Sequence, residues 1–223
     1  MEDIYQFFKE LKPNNNREWF QNNKERFLYA KDVFEDFIQK IIIEISKFDP
    51  TISGVQVKES VFRIYRDVRF SHDKTPYKTH FGAFIVKGGK TNPRGGYYVH
   101  IEPGNSLLAG GIWNPSPALL KALRQDIYEN AEEYLDIVEN PELKRYYIYD
   151  DEKLAKVPTQ FPSNLPISEW LKNKRFTLAA YFSDDLFKGE DAVEKIAELL
   201  KLLYPLNRFL NHTVDEGSQK FSL

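Results

Sequence analysis

The chain has 223 residues, enough for one large domain with a sizeable hydrophobic core. Its 31 Lys and Arg residues against 33 Asp and Glu give a net charge of −2, which argues against binding double-stranded nucleic acid through bulk charge. The absence of cysteine excludes disulfides and thiolate chemistry, and without a signal peptide or an apolar run of about 18 residues we expect a cytoplasmic protein that does not span a membrane.

The first part of the chain has helical periodicity. Residues 3–11 form a short amphipathic stretch that stops at Pro13, and Asn14 to Asn16 then offer a helix N-cap. From Arg17 to about Phe48 the apolar residues recur at spacings of three, four and seven, with no Gly or Pro between them. This pattern predicts one long amphipathic helix, closed by Asp49-Pro50.

The middle of the chain changes to short stretches with period two, separated by turns rich in Gly, Asn and Pro. The same kind of stretch recurs once near the C-terminus. The predicted strands are Phe62–Phe70, Gly82–Val86, Tyr97–Glu102, Leu107–Trp113 and Phe176–Phe182. Their close spacing favours an antiparallel meander.

The last part of the chain returns to helical periodicity. Helices are predicted over Ala118–Val138, over a short stretch Ser168–Asn173, and over Glu190–Tyr204 with a second helix after Pro205; residues 140–166 have no regular pattern. The whole succession predicts an α+β fold, a single domain over residues 1–223. A central, mainly antiparallel sheet would be flanked by the long N-terminal helix and the C-terminal helices.

Positive charge is concentrated between Phe62 and Phe81, a segment that contains five Lys or Arg residues and only two Asp residues. Arginine presents a planar fork that suits phosphate or carboxylate groups. Period two places alternate residues of this segment on one face, and it places Tyr98, His100 and Glu102 together on a face of a later strand. If the two strands share a sheet, both polar faces line one pocket.

We therefore predict a basic and aromatic pocket for a small anionic ligand, phosphorylated or carboxylated, with no cofactor. In this hypothesis Arg63, Arg69, Lys74 and Lys78 hold the anion, Tyr65 and Tyr77 donate hydrogen bonds, Asp67 or His100 acts as acid or base, and His80, Tyr98 and Glu102 line the pocket. The known nucleotide-binding glycine motifs and the GxSxG motif are absent, so no reaction follows from a motif.

Three alternatives stay open at this point. Arg66 lies on an apolar face, where it would pair with a buried carboxylate, and the neighbouring Arg and Asp residues would form an exposed row of ion pairs. His80, His100 and Glu102 form a known metal-ligand set, but no spacing signature supports a metal and none is assigned. The basic and aromatic residues would also suit an interaction module that docks a protein partner or single-stranded nucleic acid.

Three stretches carry a resemblance to a known family. FRIYRDVRFSHDKTPYKTHFGAF and GGYYVHIEPGNSLLAGGIWNPSPALLKALR are the most specific, and LAKVPTQFPSNLPISEWLKNKRFTL matches a third block. The chain resembles the domain-of-unknown-function family numbered 2461, a set of bacterial and fungal proteins, over residues 4–209. The resemblance implies a single α+β domain and no particular activity.

Overall fold

The computed structural model describes residues 1–149 and 152–220. Five strands lie within these residues: β1 (Phe81–Ile85), β2 (Gly96–Ile101), β3 (Leu107–Ile112), β4 (Ile148–Tyr149) and β5 (Phe176–Tyr181). They form one antiparallel sheet in the order β1-β2-β3-β5-β4, and Ile148 of β4 pairs with Ala179 of β5. The predicted α+β class with a central antiparallel sheet is confirmed.

The helices occupy both ends of the chain and the segment between β3 and β4. Their bounds are α1 (Glu2–Leu11), α2 (Arg17–Asn22), α3 (Lys24–Phe48), α4 (Val57–Ser60), α5 (Pro117–Glu129), α6 (Ala131–Val138), α7 (Pro141–Tyr146), α8 (Asp185–Lys188), α9 (Ala192–Lys201) and α10 (Tyr204–Lys220). Over the two described ranges, none of the helices combines the length and the apolar character that crossing a membrane requires.

Contacts between residues divide the chain into two compact units. The first contains Met1–Lys90, Tyr98–Leu108 and Tyr181–Leu199, and the second contains Thr91–Tyr97, Ala109–Ala180 and the chain from Leu200 onward. A single domain over residues 1–223 stays a prediction.

The core of the first unit is largely aromatic. Phe34 of α3 is fully buried and stacks on Phe81 of β1 with ring centroids 5.0 Å apart, while Phe8 of α1 meets the same ring edge-on at 4.8 Å. Edge-on and offset contacts of this kind suit the charge distribution of aromatic rings. They fix α1 and α3 against β1, the strand that follows His80.

The predicted helix over Arg17–Phe48 is interrupted, so the prediction of one helix was wrong at Asn23. Asn16 caps α2 as expected, since its side chain accepts a hydrogen bond from the N–H of Trp19 at 2.9 Å. At Asn23 the side-chain amide donates to the carbonyl of Trp19 at 2.9 Å, which ends α2 before α3 begins. A local side-chain hydrogen bond of this type competes with helix continuation.

The predicted strand Phe62–Phe70 is not a regular strand, and that prediction is corrected here. This segment makes only isolated bridges, of which Tyr65 to Tyr77 is one, and hydrogen bonds such as Lys78 N–H to the Ile64 carbonyl at 2.8 Å. Pro76 accepts from Arg66 N–H at 2.9 Å but has no N–H to return, so the strand pairing cannot continue. From Phe62 to Arg69 the alternation of exposure nevertheless follows period two, but Phe70, which the same period places on the face of Ile64, is exposed.

The second unit contains further departures from the predicted helices. The predicted helix over Ala118–Val138 divides into α5 and α6 at Asn130, whose side chain bonds to the carbonyl and carboxylate of Asp126. The segment predicted to be irregular contains α7 and β4. Residues 166–172 form a 3-10 helix near the predicted short helix, and α10 lies in this unit, whereas α9 lies mostly in the first unit.

Two buried asparagines of α10 satisfy backbone groups at the start of β2 and within β3. Asn207 accepts from Gly111 N–H at 2.9 Å and donates to the Gly96 carbonyl at 3.1 Å. Asn211 makes the same pair of bonds to Gly95, at 2.7 and 3.0 Å. Buried backbone groups without partners are costly. The two asparagines lie one helical turn apart on α10, so their side chains together anchor this helix to the backbone of β3 and of the chain where β2 begins.

Candidate functional site

A chain of hydrogen bonds runs along one face of β2 and ends on the residue after it. The hydroxyl of Tyr98 lies 3.0 Å from Nδ1 of His100, and Nε2 of His100 lies 3.3 Å from Oε2 of Glu102. Residues two positions apart on a strand share a face, as the sequence predicted for these three. His100 is only 7% exposed, so this is a largely buried polar chain in the first unit.

The carboxylate of Glu102 is held by two further donors. Thr79 donates its hydroxyl to Oε1 at 2.7 Å, and Asn105 donates its side-chain amide to Oε2 at 3.0 Å. Asn105 belongs to the turn after β2, whereas Thr79 comes from the segment just before β1. Donors on two chain segments therefore fix the orientation of this carboxylate.

His80 joins this chain from the same segment as Thr79. Its ring stacks on the ring of His100 with centroids 4.1 Å apart and planes inclined by 30°. The potential metal-ligating atoms of His80, His100 and Glu102 all lie within 4.8 Å of one another. The structure thus brings together three residues that the sequence separates by up to 22 positions.

Burial sets the protonation of this cluster. Desolvation lowers the pKa of His80 to about 4, with further lowering by the nearby His100, and desolvation also lowers the pKa of His100. Desolvation acts to raise the pKa of Glu102, but hydrogen bonds from Asn105, Thr79 and His100 outweigh it, and the net result is a lowered pKa. At neutral pH the cluster therefore contains two neutral imidazoles and one carboxylate.

The phenol of Tyr98 is held in its neutral form. Burial, with a smaller contribution from the charge of Glu102, raises the pKa of Tyr98 to about 12. A neutral phenol both donates and accepts hydrogen bonds. Tyr98 can therefore bond to either tautomer of His100.

A cleft of about 390 Å³ adjoins the cluster. Its lining is Phe8, Lys9, Lys12, Thr79, Glu102, Pro103, Gly104 and Asp184. Within the described ranges, Lys9 and Lys12 form no ion pair, whereas Asp184 accepts hydrogen bonds from Gly104 N–H at 3.1 Å and from the Ser106 hydroxyl at 3.3 Å. Nothing in the sequence pattern singled out either lysine, because Lys9 is a polar residue of the amphipathic stretch and Lys12 follows it, next to Pro13.

Two of the predicted anion ligands lie near the cluster. The ammonium of Lys78 sits 5.3 Å from the centroid of the Phe62 ring, and its charge helps to lower the pKa values of His80 and His100. Desolvation lowers the pKa of Lys78 itself, with a contribution from Arg63, which is exposed. Lys78 thus supplies positive charge beside the two histidines, and Arg63 influences the cluster only through its effect on Lys78.

The other predicted ligands have partners of their own. Arg69 forms an exposed ion pair with Asp67 at 2.6 Å, and Lys74 donates to the carbonyl of Val68 at 2.9 Å. Tyr77 is buried, with its ring stacked on Phe20 at 3.9 Å. Tyr65, in contrast, is 54% exposed.

Arg66 braces the segment before β1. It pairs with Asp73 at 2.5 Å and donates to the carbonyl and hydroxyl of Thr75. The expected carboxylate partner exists, but Asp73 is exposed and not buried, so the expectation of a buried carboxylate was wrong. Arg66 contacts backbone and side-chain acceptors of one turn, which is a structural role.

Comparison with known proteins adds a family. No curated protein and no solved structure matches the chain. One family matches residues 3–209, which includes the cluster, the cleft and the whole sheet. The chain belongs to that family, which is described as conserved hypothetical protein (DUF2461).

Proposed function

We propose that this protein binds a small anionic ligand, phosphorylated or carboxylated, in the cleft beside Glu102. The observation that carries the proposal is that Lys9 and Lys12, which have no ion-pair partner among residues 1–149 and 152–220, line the same cleft as Glu102, the end of the buried hydrogen-bonded chain. A concave site with a few convergent polar groups is the usual form of a small-molecule site. A cytoplasmic location belongs to the same proposal.

The balance of charge at the cleft depends on which groups are already satisfied. Glu102 and Asp184 are acidic, but each accepts at least two hydrogen bonds from N–H or O–H donors. Neither lysine forms an ion pair with a carboxylate in the part of the chain that the structure describes, so an anion would supply acceptors for their ammonium groups. Lys78 adds positive charge on the His80 side of the cluster.

His100 is the better placed of the two acid or base candidates. Its two ring nitrogens face Tyr98 and Glu102, so a proton taken up on one side can be balanced on the other. A buried group with a lowered pKa and a defined partner is typical of a functional site. Asp67, in contrast, is exposed and already paired with Arg69.

The test is a titration with inorganic phosphate and a panel of phosphorylated metabolites, followed by thermal unfolding. A ligand at ten times its Kd adds about 1.4 kcal/mol to the free energy of unfolding. For a chain of this size that is a rise in Tm of roughly 3–6 °C. Lys12→Ala and Lys78→Ala should each reduce the rise, because each removes a cation that the proposal uses.

Arg69→Ala is the matched control. Arg69 belongs to the same basic segment as Lys78, but it forms an ion pair with Asp67 on the surface. We expect the rise in Tm with phosphate to survive in this variant. If no anion raises the Tm of the unmodified protein at millimolar concentration, the proposed function is wrong.

A second candidate function rests on the exposed ring of Phe70. This side chain is 94% exposed and lies beside the guanidinium of Arg69, 5.8 Å from the ring centroid. Aromatic rings next to cations stack on the bases of single-stranded nucleic acid or dock a protein partner. Fluorescence anisotropy with a labelled single strand tests this, since Phe70→Ala should abolish any binding while Lys12→Ala leaves it unchanged.

A further inference from the structure

We infer that His80, His100 and Glu102 bind one divalent transition-metal ion with the chemistry of Zn²⁺, leaving a coordination position open toward the cleft. The three ligand atoms already lie within 4.8 Å of one another without an ion. Two imidazoles and one carboxylate with an open position are a ligand set of catalytic zinc sites. The inference about the ion stands on these residues, and only its account of the open position rests on the proposed function.

The distance between His100 and Glu102 matches tetrahedral coordination. Zinc lies about 2.0–2.1 Å from histidine nitrogen and about 2.0–2.2 Å from carboxylate oxygen, so two such ligands at the tetrahedral angle are about 3.4 Å apart. The same bond lengths at a right angle give about 2.9 Å. Nε2 of His100 and Oε2 of Glu102 are 3.3 Å apart, which fits the tetrahedral arrangement.

His80 supplies the third ligand. Its ring forms no hydrogen bond within residues 1–149 and 152–220, so a ring nitrogen is available without breaking an existing contact. The near-parallel stacking of its ring on His100 lets both rings turn an edge toward one point. The three ligand atoms lie within 4.8 Å of one another, against about 3.4 Å in a tetrahedral zinc site, so binding requires His80 to move closer to the other two.

The groups behind the ligands are those that metal sites require. Metal-bound histidines usually donate their second N–H to an oxygen, which fixes the tautomer, and bound carboxylates are hydrogen-bonded in turn. The hydroxyl oxygen of Tyr98 is the hydrogen-bond partner of Nδ1 of His100. Thr79 and Asn105 donate hydrogen bonds to the carboxylate of Glu102. The burial that keeps both imidazoles neutral also keeps their nitrogens available as ligands.

The ion would also change the charge that a ligand in the cleft meets. Without it, Glu102 presents a negative carboxylate at the cleft wall. A divalent ion on one carboxylate and two neutral imidazoles leaves a net charge of +1, and His100 then serves as a ligand and not as an acid or base. An anionic ligand held by Lys9 and Lys12 would then complete the coordination of the ion, which joins the basic cleft to the cluster.

The experiment is a calorimetric titration of the purified full chain with ZnCl₂ after removal of metal with a chelator. We expect one ion per chain. His80→Asn and Glu102→Gln, both close in size to the original side chains, should weaken binding by well over tenfold. Tyr98→Phe should weaken it by roughly 10–100-fold, as is usual when a group that orients a ligand is lost.

Two histidines outside the cluster provide matched controls. His72 and His212 are exposed, so His72→Ala and His212→Ala should leave zinc binding unchanged. Circular dichroism of every variant before titration checks that each is folded. Absence of binding by the unmodified protein, or equal binding after His80→Asn in a folded variant, would overturn the inference.

A phosphate titration with and without Zn²⁺ separates this inference from the proposed function. If Zn²⁺ binds at the cluster and phosphate never raises the Tm, the metal site stands and the anion site fails. If phosphate raises the Tm of the metal-free protein and Zn²⁺ does not bind, the anion site stands and the metal site fails. An additional rise with phosphate only when Zn²⁺ is present supports both.

Discussion

Gly82 leaves open the space that the hydroxyl of Tyr98 occupies. A Cβ atom at position 82 would lie 2.6 Å from this oxygen and 3.2 Å from the nearest ring carbons. The first distance is too short for any real contact, so a larger residue would displace the phenol. The hydroxyl would then leave its place 3.0 Å from Nδ1 of His100.

We therefore expect Gly82→Ala to destabilise the protein by about 1–3 kcal/mol, the usual cost of overpacking a filled site. Urea unfolding gives this value directly. In a Tyr98→Phe background the same substitution should cost less, because the closest atom is gone. An identical cost in both backgrounds would show that the phenol oxygen is not what the methyl group meets.

Phe34 should be among the most sensitive positions of α3. It is fully buried and stacked on Phe81, so Phe34→Ala should lower the free energy of unfolding by about 3–5 kcal/mol. Tyr29→Ala on the same helix is the control, since Tyr29 is 59% exposed and its loss should cost no more than about 0.5 kcal/mol. A cost below about 1 kcal/mol for Phe34→Ala would place that ring outside the core.

Asn207 should be difficult to replace even by residues of similar size. Asn207→Leu would leave the N–H of Gly111 and the carbonyl of Gly96 without partners in a buried place, at about 1–3 kcal/mol for each group. Guanidinium chloride unfolding measures this loss. His212→Ala, on the exposed side of the same helix, should have almost no effect, and a comparable loss there would contradict the assignment.

Asp73 should make stability depend on pH in a narrow acidic range. The N–H of Thr75, then the Arg66 guanidinium and the Thr75 hydroxyl, lower the pKa of Asp73 from its ordinary 3.8 to about 2. Because the folded value is the lower one, this contribution is complete above pH 3.8 and is lost as the pH falls from 3.8 to about 2.

Carboxyl NMR titration of the folded chain reads the pKa of Asp73 directly. In stability measurements, the difference between the unmodified protein and Asp73→Asn should shrink over the same pH range. The control is Arg66→Lys, which keeps the charge but loses the fork that reaches both Asp73 and Thr75. The pKa of Asp73 should rise in that variant; an ordinary value in the unmodified protein would refute the role given to this turn.

The sequence predicted which side chains face inward more reliably than it predicted hydrogen bonding. Along residues 62–70 the alternation placed Ile64 inside and Arg63 and Tyr65 outside, as found. Period two reports exposure alone, and the missing N–H of Pro76 together with the turn at Asp73 ends regular pairing. Asn23 interrupts its predicted helix through a side-chain bond that apolar periodicity does not register.

The candidate site was predictable only within one strand. The shared face of Tyr98, His100 and Glu102 follows from their spacing of two. The stacking of His80 on His100 depends on how the segment before β1 is aligned with β2. The periodicity of one sequence does not predict the alignment of two segments. Lys9, at the end of α1, and Lys12, just after it, line the same cleft from far earlier in the chain, so only tertiary packing reveals them.

Several hydrogen bonds hold the turn after β2 in place, so one half of the candidate site is rigid before a ligand binds. The hydroxyl of Ser106 accepts a hydrogen bond from the N–H of Glu102 at 3.2 Å, and Asp184 accepts from Gly104 N–H at 3.1 Å. A side chain that is already immobile loses little conformational entropy on binding. Adjustment to a ligand should therefore fall on His80, and amide hydrogen exchange should slow on that side while the turn hardly changes.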